Sequence, residues 1–514
     1  MKLALLGLLP LVASAQQAPL ERMLQPSQEP AVFHAGTRLV EVEVVVRNQR
    51  IRPPGVGEWF KWVLDSGPPF GPPGEVLKGL TKDDFTLLDE GKRQSIAVFR
   101  EGAPSAGSDA KLGDNQPMTL PPGAVSNRQD SRGQPVNGAT AILIDFLNTD
   151  FGCLGYERMG MTNLLRSLTG ADSRIALYTL GENLHVLHDF SDGPQKLIEL
   201  AGKLEQQHGK LPAEIDSAIR DYGDLLDLGR EEVHGRMTAK AVKLIIQHLA
   251  GVPGRKNLVW LMHYPHNVPP VVMAMLQQAN VVLYPVLVRA TGGELCSGVP
   301  PSAAEALAVV TGGRAFFDSL DLTFALRTVQ EDATTNYVLG YYPAEGLLDG
   351  KYHTITVKLY NKSPDKQTLE VHYRPGYIAT KTALPPPAPT PEELFEGPVN
   401  SARIGLTAIA TPDAQRPGLY NLHITVDLHD IHLESKDGHF SGAFAVSVPN
   451  PASKGTVHTG TVAVDLTDKQ LAQALESGYP ISISGAEPML GEIRVVVRDR
   501  ATGIAGSLRV PVAK

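Results

Sequence analysis

AILIDFLNTD, residues 141–150, is the stretch whose reading decides the fold. Its four apolar residues and Asp145 form an unbroken run, as in a strand buried on both faces of a parallel sheet. Asp145, Asn148, Thr149 and Asp150 then gather at its carboxyl end, the edge where open α/β sheets bind ligands. Two uses of these oxygens are open. They ligate a metal ion, or Asp145 caps the following helix and hydrogen-bonds loop amides.

Downstream, apolar strands alternate with helices. RIALYTL is followed by the helical MTAKAVKLIIQHLAG, in which Met237, Ala241, Leu244, Ile245 and Leu249 form one stripe that stops at Gly251. Strand NLVWLM, helix PPVVMAMLQQA, strand VVLYPVLV, helix SAAEALAVV, strand TGGRAFF and a last helix complete the pattern. It predicts a doubly wound, largely parallel α/β domain over 139–336.

Upstream, TRLVEVEVVVR puts Val40, Val42, Val44 and Val46 on one face, a half-buried strand. With the DDFTLLDEGKRQSIAVF hairpin it defines an N-terminal β module over 31–100, interrupted by a Pro/Gly-rich insertion that carries Trp59, Phe60 and Trp62. These aromatics either anchor a partner or fold back onto their own module. Residues 101–138, rich in Gly, Pro, Ser, Asp and Asn, read as a flexible linker. A β extension over 337–378, a Pro-rich linker over 379–397 and a C-terminal β-sandwich over 398–514 follow. In the last, Leu422, Ile424, Val426 and Leu428 alternate inward, repeated strands suggest an immunoglobulin-like arrangement, and a hairpin turns through Thr502-Gly503.

The chain has 514 residues, a net charge of -8, 42% hydrophobic and 20% charged residues, and no basic block. That excludes nucleic acid as the expected partner and implies several globular domains. MKLALLGLLPLVASA has one Lys, a short apolar run and small residues before a cut after Ala15, so residues 1–15 read as a signal peptide. No transmembrane segment is expected once it is removed. The expected location is therefore outside the cytoplasm, periplasmic or extracellular. Cys153 and Cys296 are the two cysteines. In an exported chain they form one disulfide or stay as two buried thiols.

GLTKDDFTLLDEGKRQSIAVF, ILIDFLNT, DSRIALYTLGENLHVLHDFS, PGRKNLVWL, VVLYPV, TGGRAFF and YVLGYYP…DGKYHTITVKL…VHYRPGY, in this order over about residues 37–378, resemble the von Willebrand factor type A (VWA)-related exported proteins abundant in Acidobacteria. The resemblance implies a VWA domain with adhesion-like protein binding. Fold alone does not establish that role. It also implies a site: many VWA domains hold Mg²⁺ or Mn²⁺ through Asp-x-Ser-x-Ser, a loop Thr and a later Asp. Asp145 matches, Thr149 keeps the last hydroxyl and Thr238 supplies the loop Thr. Leu147, however, replaces the middle Ser, and LMHYPHN offers His263 and His266 where the Asp belongs. The expectation is a degenerate site with no cofactor. Mg²⁺ or Mn²⁺ in a shifted geometry is the alternative. If the strand order is the usual one for this domain, Cys153 and Cys296 share the carboxyl edge, and a bond between them would pin its loops.

No Gly-x-Ser-x-Gly, Walker, His-Glu-x-x-His or Gly-x-Gly-x-x-Gly motif occurs. His423, Asp427 and His429 read as a solvated strand face, and Asp83, Asp84, Asp89 and Glu90 as a charged hairpin, with calcium as the lesser reading. The chain is thus expected to be a non-enzyme that binds a protein or cell-envelope surface. Its surface would be Asn148, Asp150 and His263, helped by Trp59 and Trp62. The rival is a hydrolase using the Asp145/His263 edge.

Overall fold

The computed structural model describes residues 39–48, 74–101, 120, 122–128, 139–149, 175–190, 192, 195–200, 230–250, 255–262, 268–287, 301–317, 323–343, 348–360, 369–379, 391–436, 438–450, 456–489 and 491–512. The fold is mixed α/β with several sheets. The signal-like residues 1–15, together with Trp59, Trp62, Asp150, Cys153, His263 and Cys296, lie outside the described residues.

Strand β6 (Ala139–Asp145) is buried at every position. It pairs in parallel with β7 (Ile175–Leu180) and β9 (Lys256–Met262). Strand β10 (Val281–Leu287) lies beyond β9, the two-residue β11 (Phe316–Phe317) closes one edge, and β8 (Leu184–His188) runs antiparallel at the other. The period-two alternation of a strand sorts the side chains onto two faces. Ala141 and Leu143 pack with Leu258, Trp260 and Leu283 under helices α1 (Arg230–Leu249), α2 (Pro270–Gln278) and α3 (Pro301–Thr311). Ile142 and Ile144 face the opposite way, with Val259, Leu261 and Tyr284, against α4 (Thr323–Thr334). In α1 the expected stripe is the buried one: Ala241, Leu244, Ile245 and Leu249 are each under 5% exposed. β11 is shorter than its sequence suggests because two glycines precede it. Gly312 sits at φ +81°, and a Cβ on Gly313 would stand 1.9 Å from the Leu283 carbonyl oxygen.

The 337–378 stretch is woven into the N-terminal module. Strand β12 (Tyr337–Tyr341) lies between β1 (Val40–Asn48) and β4 (Val98–Glu101), and β14 (Leu369–His372) pairs with the far end of β1. A second sheet runs β15 (Gly376–Ile378), β13 (Tyr352–Leu359), β2 (Phe85–Asp89), β3 (Lys92–Gln94). Their shared core holds Val40, Val42, Val44 and Val46, as the alternation predicts, with Phe85, Leu339, Ile355 and Val357.

A buried polar chain ties this module to the α/β domain. Glu43 on β1 accepts from Arg255 (2.6 Å), Arg255 donates to the Tyr284 hydroxyl (3.0 Å), Tyr284 donates to Asp332 on α4 (3.1 Å), and Asp332 accepts from Arg47 on β1 (2.6 Å). Burial works against the Arg255 charge, but Tyr284 and Glu43 beside it more than restore it, so the guanidinium stays protonated. Burial also holds the Tyr284 phenol above its ordinary range.

In the C-terminal part, β16 (Leu406–Pro412), β17 (Tyr420–Val426) and β21 (Tyr479–Ala486) form one sheet. The other contains β18 (Glu434–Lys436), β19 (His439–Asn450), β20 (Thr456–Thr467), β22 (Glu492–Asp499) and β23 (Ala505–Pro511). Leu422, Ile424, Val426 and Leu428 point into the core they share, and Thr502-Gly503 turns the last hairpin with Gly503 at φ +71°. The expected solvated row is broken: after Val426 the chain enters a short 3-10 turn over Leu428–Asp430, where Asp427 accepts from the His429 N–H.

Two stretches expected to be linkers carry structure. Residues 122–128, inside 101–138, add β5 (Val125–Ser126) to the edge of β16. There the Asn127 amide donates to the carbonyls of Ser401 (2.7 Å), Ile404 (2.9 Å) and Ser507 (3.3 Å) and accepts from the Leu406 N–H (2.7 Å). In the Pro-rich stretch, helix α5 (Pro391–Glu396) places Glu393 on Lys243 of α1 at 2.7 Å. Within 122–128 the polar side chains of Ser126 and Asn127 donate to backbone carbonyls.

Candidate functional site at the carboxyl edge

β6 ends at Asp145, and the chain then turns across the end of β7, with the N–H groups of Phe146 and Leu147 both donating to the Leu180 carbonyl. This turn brings the expected oxygens together. Asp145, Thr149 and Thr238 are each 1% exposed. Asn148 is half-buried and stands between them. Its backbone N–H donates to Asp145 Oδ1 (3.0 Å), and its side-chain amide donates both to Asp145 Oδ2 (2.8 Å) and to Thr238 Oγ1 (3.0 Å). Trp260 supplies a further donor, its indole N–H lying 3.1 Å from Asp145 Oδ2. Thr149 turns its hydroxyl back onto the Asp145 carbonyl at 2.6 Å.

A hard divalent cation needs several oxygen ligands in near-octahedral array, with lone pairs facing the ion. At this edge, donor-only groups approach the Asp145 carboxylate: an indole N–H, an amide N–H and a backbone N–H. The Asn148 amide bridges Asp145 and Thr238, the two side chains an ion would have to link. Leu147, where the motif has a serine, is fully buried in the apolar core. Among the described residues, this donor set does not fit Mg²⁺ or Mn²⁺. Asp145 accepts the loop N–H of Asn148, the kind of bond the hydrogen-bonding reading invokes.

The structure brings Asp145, Asn148, Thr149 and Thr238 into one cluster. Asp150 and His263 are outside the described residues, as are Trp59, Trp62 and the proposed Cys153–Cys296 pair. The strands preceding the two cysteines, β6 and β10, are separated by β9 alone. The sequence reading missed Trp260. Its signal was present: a buried indole N–H needs an acceptor, and period two in NLVWLM puts Trp260 on the same face as Leu258 and Met262. Its backbone pairs with Leu143, two residues before Asp145.

Two other polar clusters lie away from this edge. Tyr178 on β7 lies 2.6 Å from His248 Nδ1, and His248 Nε2 lies 3.3 Å from Asp189. Burial raises the Tyr178 phenol well above its ordinary range, and both Tyr178 and His248 are buried. In the N-terminal hairpin, Asp89, Glu90 and His353 bring ligand atoms within 4.8 Å of one another. Asp89 already accepts from the hydroxyls of Tyr341 (2.7 Å) and Tyr377 (2.9 Å), and His353 bridges it to Asp349 with both ring nitrogens at 3.2 Å. Glu90, at φ 48°, accepts from the Thr354 hydroxyl at 2.9 Å, and Asp84 accepts from the Thr81 N–H at 2.8 Å. The acids of this hairpin join the two sheets of the module and cap its turns.

No model of a known protein family matches the chain, and no curated protein does. Solved structures similar to it include a von Willebrand factor type A protein from Catenulispora acidiphila, 9% identical, with a TM-score of 0.24, covering 72% of this chain and 73% of that one. The manganese-loaded TRAP protein of Plasmodium vivax is 13% identical with a TM-score of 0.23, covering 49% of this chain and 94% of that one. Proximal thread matrix protein 1 of the mussel byssus is 13% identical with a TM-score of 0.23 over 40% of this chain, which spans about half (48%) of that protein's length.

Proposed function

We propose that this chain is an exported, VWA-like binding protein that recognises a protein or cell-envelope surface through the carboxyl edge of its parallel sheet, without a metal ion. The observation that carries the reading is the Asn148 amide bridging Asp145 and Thr238. It gives the edge a fixed polar floor whose hydrogen bonds are made internally, and leaves one face of Asn148 for a partner. Beside it, the exposed Glu182 and Asn183 of the β7–β8 turn extend the rim. A rigid, pre-organised polar surface suits recognition. Catalysis would need a nucleophile with an adjacent base, and Asp145, held by N–H donors, supplies neither. The signal-like residues 1–15 support export, and the C-terminal part is read as an immunoglobulin-like spacer.

The test is capture of partners from the envelope fraction of the source organism by the full chain and by a Glu182→Arg/Asn183→Arg variant. Specific partners retained by the wild type and lost by the variant are expected, with capture unchanged by EDTA. Equal capture by both, or capture abolished by EDTA, contradicts the reading. A hydrolytic activity lost in Asp145→Ala would replace it with the enzymatic one. N-terminal sequencing of the exported protein is expected to begin at Gln16.

A further inference from the structure

Sheet edges invite pairing with other chains, and proteins guard them with short strands, charges and prolines. Most edges here are guarded in that way. β3 is three residues long with Lys92 and Arg93, and β18 three residues with Glu434 and Lys436. β5 and β11 are two residues each, β4 ends on Arg100 and Glu101, β21 holds Pro480, and β23 holds Arg509 and Pro511.

β20 carries a single charge, Asp465 near its end, and no proline. It is twelve residues long and bonded to β19 along its whole length on one side. Among the described residues, no strand and no backbone hydrogen bond reaches its other side. From His458 to Val464 it contains no Asp, Glu, Lys, Arg or Pro, and His458, Thr459, Gly460 and Thr461 are all exposed. Thr459 and Thr461 flank Gly460 symmetrically, and His458 and Val462 lie one step further out on either side.

We propose that the outer edge of β20 pairs with the same edge of a second copy of this chain, antiparallel, about a two-fold axis at Gly460. An isologous edge of this kind is self-complementary and closes as a dimer. The pairing sets Thr459 against Thr461 of the second copy twice over, a favourable cross-strand pair. Asp465 falls opposite position 455, before the start of the other strand, so the two Asp465 carboxylates do not meet. Both outward faces stay in register, because a shift by an even number of residues keeps exposed positions opposite exposed ones. The inference is independent of the binding edge at Asp145.

Sedimentation of the full chain over a wide concentration range tests it. The wild type is expected to move from the mass of one chain to that of two. A Thr459→Lys/Thr461→Lys variant, altered only at exposed positions, is expected to remain one chain throughout with an unchanged circular dichroism spectrum. In Gly460→Cys the added Cβ meets nothing within 4 Å. Opposed antiparallel residues stand at disulfide distance, so mild oxidation should give a covalent dimer that the wild type does not form. A wild type that stays monomeric, a lysine variant that still dimerises, or a Gly460→Cys chain that fails to cross-link each overturns the proposal. A monomeric wild type that instead takes up an extended peptide of another protein does so as well.

Discussion

Replacing Asn148 with alanine removes the amide that joins Asp145 to Thr238 and leaves the backbone N–H bond to Asp145 Oδ1 in place. The lost bond to the carboxylate is charge-assisted, a class that contributes about 1.5–3 kcal/mol, and the lost bond to the Thr238 hydroxyl contributes about 0.5–1.5 kcal/mol. Asn148 is half-buried, so water replaces part of both, and the net loss should be ~1.5–2.5 kcal/mol. Thr238→Val alone removes only the weaker bond. The two substitutions share a partner, so the double variant should lose ~0.5–1 kcal/mol less than their sum. Urea unfolding followed by tryptophan fluorescence reads this, since Trp260 sits at the cluster and a midpoint shift at constant slope reports stability. An Asn148→Ala variant indistinguishable from wild type, or strict additivity with Thr238→Val, would refute the claim that Asn148 holds this edge together.

Asp332→Ala should loosen the N-terminal module from the α/β domain, because it leaves the buried Arg47 guanidinium with the half-exposed Glu331 and the carbonyls of Gly74 and Thr328, and without its buried counter-charge. About 3 kcal/mol, the low end for a broken buried pair, should appear as lost amide-exchange protection in β1 and α4; unchanged protection would argue against it. Asn127→Ala strips four buried hydrogen bonds from the β5–β16 edge and should cost about 2–4 kcal/mol, with faster exchange confined to Leu406–Pro412 and its neighbours. Alkaline pH should destabilise the fold. Burial pushes Tyr337 up to about 12 and raises Tyr284 and Tyr341. These phenols stay protonated in the fold while the unfolded chain ionises near 10, so their contribution is full below pH 10 and lost as pH climbs past about 12. Burial lowers Arg494 to about 9 and also lowers Lys256 and Arg403, three groups that act in the opposite direction against the larger set of phenols that burial raises, Tyr178 and Tyr352 included. A urea midpoint that rises between pH 9 and 11 would contradict the balance.

The parallel sheet was legible in the sequence because strands buried on both faces leave unbroken apolar runs, as in AILID and NLVWLM. Val40 to Val46 and Leu422 to Leu428 were legible by alternation. What local sequence does not carry is pairing at a distance. Nothing in YVLGY announces that it lies between Val40–Val44 and Val98–Glu101, and two residues, Val125 and Ser126, are too short a run to read as a strand. At the carboxyl edge the oxygens of Asp145 and Thr149 were legible from the motif spacing, and Thr238 only from its place at the head of a helix. Their use was not: the deciding groups are donors, an amide in a position the motif leaves open and an indole from another strand. The charged hairpin was likewise visible, but its partners, Tyr341, Tyr377 and His353, come from more than 250 residues away.

The proposed metal-free edge depends on the Asn148 amide and the Trp260 indole donating to Asp145. Equilibrium dialysis against Mn²⁺, with bound metal read by paramagnetic resonance, tests it most directly on the wild type and on Asn148→Asp. No stoichiometric Mn²⁺ is expected on the wild type, and measurable binding is expected once Asn148→Asp replaces the bridging donor with a second carboxylate. One tightly held ion per wild-type chain, lost in Asp145→Ala, would contradict it.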